Sequence, residues 1–314
     1  MDSKKRNENL FIIIVSYNGT LWIERCLSSC AHHNIIVVDN GSTDATVATI
    51  KRKFPEVIMF EMEENLGFGQ ANNVGMAHAL KNGAEHVFLL NQDAYLVDDV
   101  IERLKAFQKN NQEYGILSPI HINGEQNKLD RGFFKYALKA EKDNFISDSV
   151  MDKLLKPVYD VPFINAAAWL ISKRCLETVG GFDPIFFHYG EDVNYCQRVL
   201  FHKFKIGIIP NTYVIHDREA RTKEIPKPFS RAYYTKYERH QKLVLANINR
   251  NDISKQLKFR FRFLNGLLLK GILKCNRHEV SESVLKRRIL KTIEREILQS
   301  RNLNTQEKAN YLKL

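Results

Sequence analysis

The chain has 314 residues, 44% hydrophobic and 26% charged, with a formal net charge of +11. That composition suits one large domain or a domain with an appendage and argues against general disorder. No run approaches the ~20 uncharged apolar residues that span a bilayer, and the polar N-terminus leads into a strand-like segment without a signal peptide's apolar region.

The charge is uneven. Residues 250–314 carry 16 Lys/Arg and 6 Asp/Glu, whereas residues 1–249 carry 31 and 30. A nearly neutral body with a basic tail points the tail toward an anionic surface, membrane or nucleic acid. The five cysteines are scattered. Cys26 and Cys30 stand one helical turn apart, but no second pair has zinc-site spacing, so reduced thiols of a cytosolic protein are expected.

In chain order, Leu10–Ser16 is a short, continuously apolar, β-branched run, which predicts a buried strand. A polar turn, Tyr17-Asn18-Gly19-Thr20, leads to helical spacing over 21–31. A second buried strand, Asn34–Asp39, ends in Asp39-Asn40-Gly41-Ser42-Thr43-Asp44, a turn that also caps a helix near 44–53. A strand over 57–61, a small-residue helix over 70–82, a strand over 85–90 and a helix over 97–110 follow. This alternation predicts βαβ units and a parallel sheet, with ligands beyond the carboxyl ends of the strands. Residues 115–160 read as a β-insertion or mobile loop. After an apolar run over 163–171 come a short helix over 174–180 closed by Gly180-Gly181, a helix over 191–202, and two short strands, 205–209 and 212–216, broken by Pro210-Asn211. Beyond about 230 the chain turns helical and basic.

Asp93 follows an apolar strand at once, so its carboxylate either faces the crevice, where it can hold a divalent cation on a nucleotide's phosphates, or caps the next helix. The Asn65–Asn73 stretch carries Gly67 and Gly69 and opens a helix, an arrangement for a phosphate or sugar oxygen, or an ordinary loop. Glu191-Asp192 after an aromatic-rich loop offers either a general base or a helix cap. His216 ends a strand as a candidate ligand to the same cation, or as a structural histidine. Lys258 to Lys274 mixes cations with aromatic and aliphatic residues, as a membrane-surface helix or as one packed on the main domain. No nucleic-acid-reading motif is present.

These segments, in this order, resemble the family 2 inverting glycosyltransferases of GT-A fold, and within them the rhamnosyltransferase-like enzymes of polysaccharide assembly. The resemblance rests on Ile14-Val15-Ser16-Tyr17-Asn18, Val38–Asp44, the Asn65–Asn73 loop, Leu90-Asn91-Gln92-Asp93, Gly180-Gly181-Phe182-Asp183 and Gly190-Glu191-Asp192. It implies an α/β, Rossmann-like, mostly parallel sheet flanked by helices over residues 1–245, with a basic helical extension over 246–314. It also implies transfer of a sugar, with inversion, from a UDP- or dTDP-sugar to a glycan or lipid-linked acceptor hydroxyl. The enzyme would work in the cytoplasm, or peripherally at the inner face of the membrane. Asp39 would recognise the base with Ser16, Tyr17 and Asn18 nearby. Asn65, Gly69, Asn72 and Asn91 would line the donor pocket, Asp93 and His216 would hold Mg²⁺ or Mn²⁺, and Asp192 would be the catalytic base. The family's Asp-x-Asp motif reads Asn91-Gln92-Asp93 here, one acid short, and Asn194 stands where relatives often carry an acid. A sugar nucleotidyltransferase and a non-catalytic sugar-nucleotide-binding subunit are the competing readings. Rhamnose, galactofuranose, glucose, galactose and N-acetylated sugars all satisfy these motifs.

Overall fold

The computed structural model describes residues 9–139, 144–218 and 225–314, so the polar leader of residues 1–8 lies outside the description. The chain forms two compact units, Met1–Arg221 with Glu307–Leu314, and Thr222–Gln306.

The first unit is built on a mixed nine-stranded sheet. Its parallel half is ordered β3 (Ile58–Glu61), β2 (Asn34–Asp39), β1 (Leu10–Ser16) and β4 (His86–Asn91). β1 is covered on both faces. Phe11 and Ile13 enter one core cluster and Leu10, Ile12 and Ile14 the other. That is why its sequence is a continuous apolar run rather than an alternation. Each such side chain, fully buried, contributes roughly 1.5–3 kcal/mol. Helix α3 (Phe68–Lys81) lies close on β1: a Cβ on Gly75 would stand 2.5 Å from Ile13 Cγ2.

The other half is where the sheet stops being parallel. β8 (Ala168–Ser172) runs antiparallel between β4 and β6 (Tyr114–Asn123). β9 (Lys205–His216) is parallel to β6 and antiparallel to β5 (Ala94–Leu96) and to β7 (Tyr159–Asp160). The two strands expected on either side of Pro210-Asn211 are one strand, β9. Its register with β6 slips between Ser118 and Ile120, opposite Ile208 and Tyr213. Proline has no N–H to give to a ladder, so pairing lapses at Pro119 and Pro210 and then resumes. Asn211 takes φ 61° in the bulge. The segment expected as a loop or insertion holds β6 at the heart of the sheet, then α5 (Arg131–Lys139) and α6 (Phe145–Val150). Ser118 and His121 dilute the apolar signal of β6, yet both are buried.

Helices α1 (Ile23–Ser29), α2 (Thr46–Lys53), α4 (Val100–Asn110), α7 (Lys173–Val179) and α8 (Glu191–Phe201) complete the unit. Asp93 caps no helix: β5 follows it, and α4 begins after Asp99. The chain returns to this unit at its end, with Lys308 N–H donating to Thr178 O at 3.0 Å and Gly181 N–H to Asn310 O at 2.8 Å.

The second unit consists of α9 (Arg231–Leu245), α10 (Ile253–Leu273) and α11 (Arg277–Asn304). Within this unit α9 packs against α11. Arg301 of α11 donates to the carbonyls of Leu245, Asn247 and Arg250, and Lys242 of α9 is paired with Glu238 and Glu296.

Candidate active site

The parallel register places Ser16 beside Asp39 at the carboxyl ends of β1 and β2. Both oxygens of Asp39 are engaged. Oδ2 accepts from Ser16 Oγ at 2.7 Å and Ser42 Oγ at 2.6 Å, and Oδ1 accepts from Ser42 N–H at 2.8 Å. Asn18 ties this turn to the β1 exit: its N–H donates to Ser42 Oγ, and its Oδ1 accepts from Thr43 N–H, each at 2.9 Å. Tyr17 is 45% exposed, and its backbone exchanges two hydrogen bonds with the Gln92 amide. Ser16, Tyr17, Asn18 and Asp39 are thus gathered at one edge of the sheet by hydrogen bonds within the protein.

The 65–67 turn is laced to that edge by Asn40, which donates to Asn65 Oδ1 at 2.9 Å and accepts from Leu66 N–H at 2.8 Å. Gly67 opens α3 at φ 81°, and a Cβ there would stand 2.0 Å from the Phe187 carbonyl oxygen. We expect Gly67→Ala to cost about 1–3 kcal/mol in urea denaturation, since both backbone conformation and space forbid it. Gly69 and Asn72 bond and pack within the protein. A Cβ on Gly69 would meet Phe182 at 2.8 Å, and buried Asn72 donates to Phe68 O at 2.9 Å. Asn73 does more than its sequence context suggested, clasping the backbone of Phe182 through both amide atoms at 2.7 and 2.8 Å.

Asn91 ends β4, and Asp93 sits in the turn to β5, opposite the end of β9, which carries His216. His216 Nε2 lies 3.4 Å from Asn91 Nδ2 and 3.5 Å from Asp93 Oδ1, while Nδ1 lies 3.8 Å from Asp130 Oδ2. Asp93, Asp130 and His216 are all buried. Asp130 receives Arg218 through Nε at 2.8 Å and Nη2 at 2.6 Å. Beyond it, His121 touches Ser118 Oγ at 3.1 Å, and burial, with His216 adding to it, pushes its imidazole down to about 3.

Two groupings could therefore hold a cation. His121, Asp130 and His216 offer atoms within 4.8 Å of one another. Their carboxylate, however, is already matched by a guanidinium, whose charge opposes a dication. The Nε2 side of His216 offers an imidazole nitrogen and a carboxylate oxygen at a separation one ion can bridge at ligand distances of about 2.0–2.2 Å. Asn91 faces Nε2 with its amide nitrogen, and its Oδ1 is buried with no hydrogen-bond partner among the described residues. These donors suit Mg²⁺ or Mn²⁺.

Asp192 lies in the first turn of α8, entered through Gly190 at φ 103°. Its Oδ1 accepts from Val193 N–H at 2.7 Å. Burial pushes its carboxyl up to about 6, against that hydrogen bond and the charge of Arg218. Arg218 also feels Asp93, so one guanidinium is in electrostatic reach of Asp93, Asp130 and Asp192. Asp130 and His121 fell in the stretch read as an insertion or mobile loop. Arg218 lies just past β9, where its N–H turns back to His216 O at 3.2 Å, so no strand periodicity pointed to it. A separate cavity of about 530 Å³, lined by His86, Lys105, Lys109 and Lys173 among others, opens at the far end of β4 from Asn91.

A mixed sheet with its polar groups gathered at the carboxyl ends of β1, β2 and β4 is the architecture of the GT-A class. A mannosyltransferase of Pyrobaculum calidifontis, solved with GDP-Man and Mn²⁺, superposes with a TM-score of 0.51 at 19% identity over 79% of this chain and 65% of its own. GalNAc-T7, solved with UDP, GalNAc and Mn²⁺, superposes with a TM-score of 0.55 at 16% identity over 80% of this chain and 54% of its own. The protein thus spans less than two thirds of either solved chain. Residues 11–167 match Glycosyl transferase family 2, and the chain belongs to that family of glycosyltransferases. It is 24% identical to the dTDP-rhamnosyl transferase RfbF of Shigella flexneri over 213 residues, 67% of this chain and 69% of the relative. It is 22% identical to the N-acetylglucosaminyl-diphospho-decaprenol L-rhamnosyltransferase of Mycobacterium tuberculosis over 247 residues, 71% of this chain and 80% of the relative.

Proposed function

We propose that the protein transfers a hexosyl or deoxyhexosyl group, with inversion, from a UDP- or dTDP-sugar to a hydroxyl of a glycan or lipid-linked acceptor in surface polysaccharide assembly. The observation that carries this reading is a carboxyl held near neutrality at the head of α8, sharing Arg218's field with the Asp93–His216 pair. Asp39, with Ser16, Tyr17 and Asn18 around it, receives the base, and the Asn65 turn and Asn91 border the diphosphate. Asp93 and His216 hold Mg²⁺ or Mn²⁺, which when bound neutralises charge on the leaving diphosphate. Asp192 accepts the acceptor hydroxyl's proton as that oxygen attacks the anomeric carbon from the face opposite the leaving group. Lipid-linked substrates are named for the mycobacterial relative. Among the described residues no helix is long and apolar enough to cross a membrane, which suits an enzyme reaching such an acceptor from the cytoplasmic side. We propose no nucleic-acid partner.

A panel of sugar nucleotides with Mn²⁺ tests the reading, thermal shift reporting binding and product analysis reporting chemistry. Release of nucleoside diphosphate with a glycosylated acceptor is the expected result. Pyrophosphate release would make the protein a nucleotidyltransferase, and binding without turnover would make it a non-catalytic subunit. Because Asp192 must be ionised to act, kcat/KM should fall on the acid side with an apparent pKa of about 6. An acid limb near the ordinary carboxyl value of about 4 would remove the elevated carboxyl from the mechanism.

A further inference from the structure

Helix α10 buries a narrow stripe, Leu257, Leu264 and Gly271, spaced by seven, with Gly271 lying against Glu279 and Val280 of α11. At about 100° per residue, Phe259, Phe263 and Leu273 project away from that stripe, Phe263 by about a quarter turn from Leu264. They are 67%, 57% and 85% exposed, with Leu269 and Ile272 at 61% and 55% beside them. The two phenyl rings stack at 6.4 Å. Exposed Lys255, Lys258, Arg262, Lys270 and Lys274 are interleaved with them. From Ile253 to His278 the sequence has seven cations and no acid. Arg260 is the one among the seven that turns inward, donating to Gln241 Oε1 at 2.6 Å.

Exposed aromatic and aliphatic side chains interleaved with cations, with no acid among them, are unusual on a water-facing helix, because exposed apolar area costs free energy and like charges repel. We propose that this face of α10 docks on the anionic surface of a lipid bilayer, with Phe259, Phe263, Leu269 and Leu273 entering the headgroup–acyl boundary and the cations meeting lipid phosphates. Charge decides the occupant. A second copy would set cations against cations, and a nucleic acid would leave Leu269, Ile272 and Leu273 in water. The inference gives a location to the lipid-linked acceptor reading but does not need it, since docking requires neither donor nor acceptor.

The test is co-sedimentation of the full chain with phosphatidylcholine vesicles, with and without phosphatidylglycerol. Wild type should pellet with the anionic vesicles and lose binding as salt rises. The double variant Phe259→Glu, Phe263→Glu should lose about 100-fold in affinity, roughly tenfold per ring withdrawn from the boundary. Lys258→Gln with Arg262→Gln should lose about fivefold per charge. Both variants alter exposed positions, so transfer to a water-soluble acceptor should be unchanged, which separates a docking failure from a failure of the proposed activity. Equal recovery of wild type and the Phe variant, or pelleting indifferent to phosphatidylglycerol, would overturn the proposal. So would a dimer in sedimentation velocity that the Phe variant dissolves while vesicles bind neither form.

Discussion

Asp192→Asn should reduce transfer about 10²–10⁴-fold, the usual contribution of a positioned general base, while leaving nucleotide-sugar binding intact and making the protein more stable at neutral pH. The stability gain follows from the same feature that suits Asp192 to be a base. Its carboxyl is held at about 6 by burial, so the fold prefers the neutral form. Below the ordinary carboxyl value of about 3.9 both folded and unfolded chains are protonated and the residue is neutral to stability. As pH rises toward 6 the unfolded chain loses its proton while the folded chain keeps it, so stability falls. Above 6 the full penalty is present, about 1–3 kcal/mol, since each tenfold weakening of the acid is worth roughly 1.4 kcal/mol and partial exposure reduces the sum. An amide carries no such penalty and can still take a hydrogen bond from Val193 N–H. The midpoint of urea unfolding should therefore favour the variant progressively from about pH 4 to about pH 6 and by a constant margin above. A variant equally stable at every pH, or turning over at the wild-type rate, would remove Asp192 from the base role.

The parallel half of the sheet was legible because burial on both faces writes itself as uninterrupted apolar, β-branched runs, as in Phe11–Val15 and Ile35–Val38. Asp39, the last residue of β2, and Asp93, in the turn two residues past β4, were legible because each closes an apolar run at the carboxyl edge of the sheet. The antiparallel half was not. Nothing in Ala168–Ser172 says that it inserts between β4 and β6 in the opposite direction, since a short apolar run carries no sign of direction. Pro210 read as a strand break because proline cannot join a ladder, and the sheet instead absorbs it as a bulge against Pro119. The layer behind His216 was hidden more deeply. His121, Asp130 and Arg218 meet across β6, the turn after it and the end of β9, and each alone looks like an ordinary surface residue. Only the parallel β6–β9 register, which sets Asn123 beside His216, brings the three together.

Asp93→Ala should abolish metal-dependent nucleotide binding in calorimetry, a loss of about 10²–10³-fold or more, on the scale of several kcal/mol that a bound cation contributes at a diphosphate. His216→Ala should do the same less completely, because imidazole supplies a ligand but no charge. In a motif with two acids, either could partly cover for the other. Here Asn91 brings no charge, so among the described residues Asp93 supplies the anion at the Nε2 side of His216, and Asp130 beyond is already neutralised by Arg218 at 2.6 and 2.8 Å. Asn91→Asp therefore carries the sharper test. A second carboxylate 3.4 Å from His216 Nε2, where the amide nitrogen now lies, should tighten Mn²⁺ binding if the ion sits between Asn91, Asp93 and His216. If the ion belongs instead to His121, Asp130 and His216, the new charge lies on the wrong side of the imidazole. Arg218→Gln should then be the variant that tightens the metal, by releasing Asp130, and Asp93→Ala should spare it. The proposed assignment requires the opposite order: Mn²⁺ affinity raised by Asn91→Asp, lost with Asp93→Ala, and changed little by Arg218→Gln beyond the loss of a neighbouring positive charge.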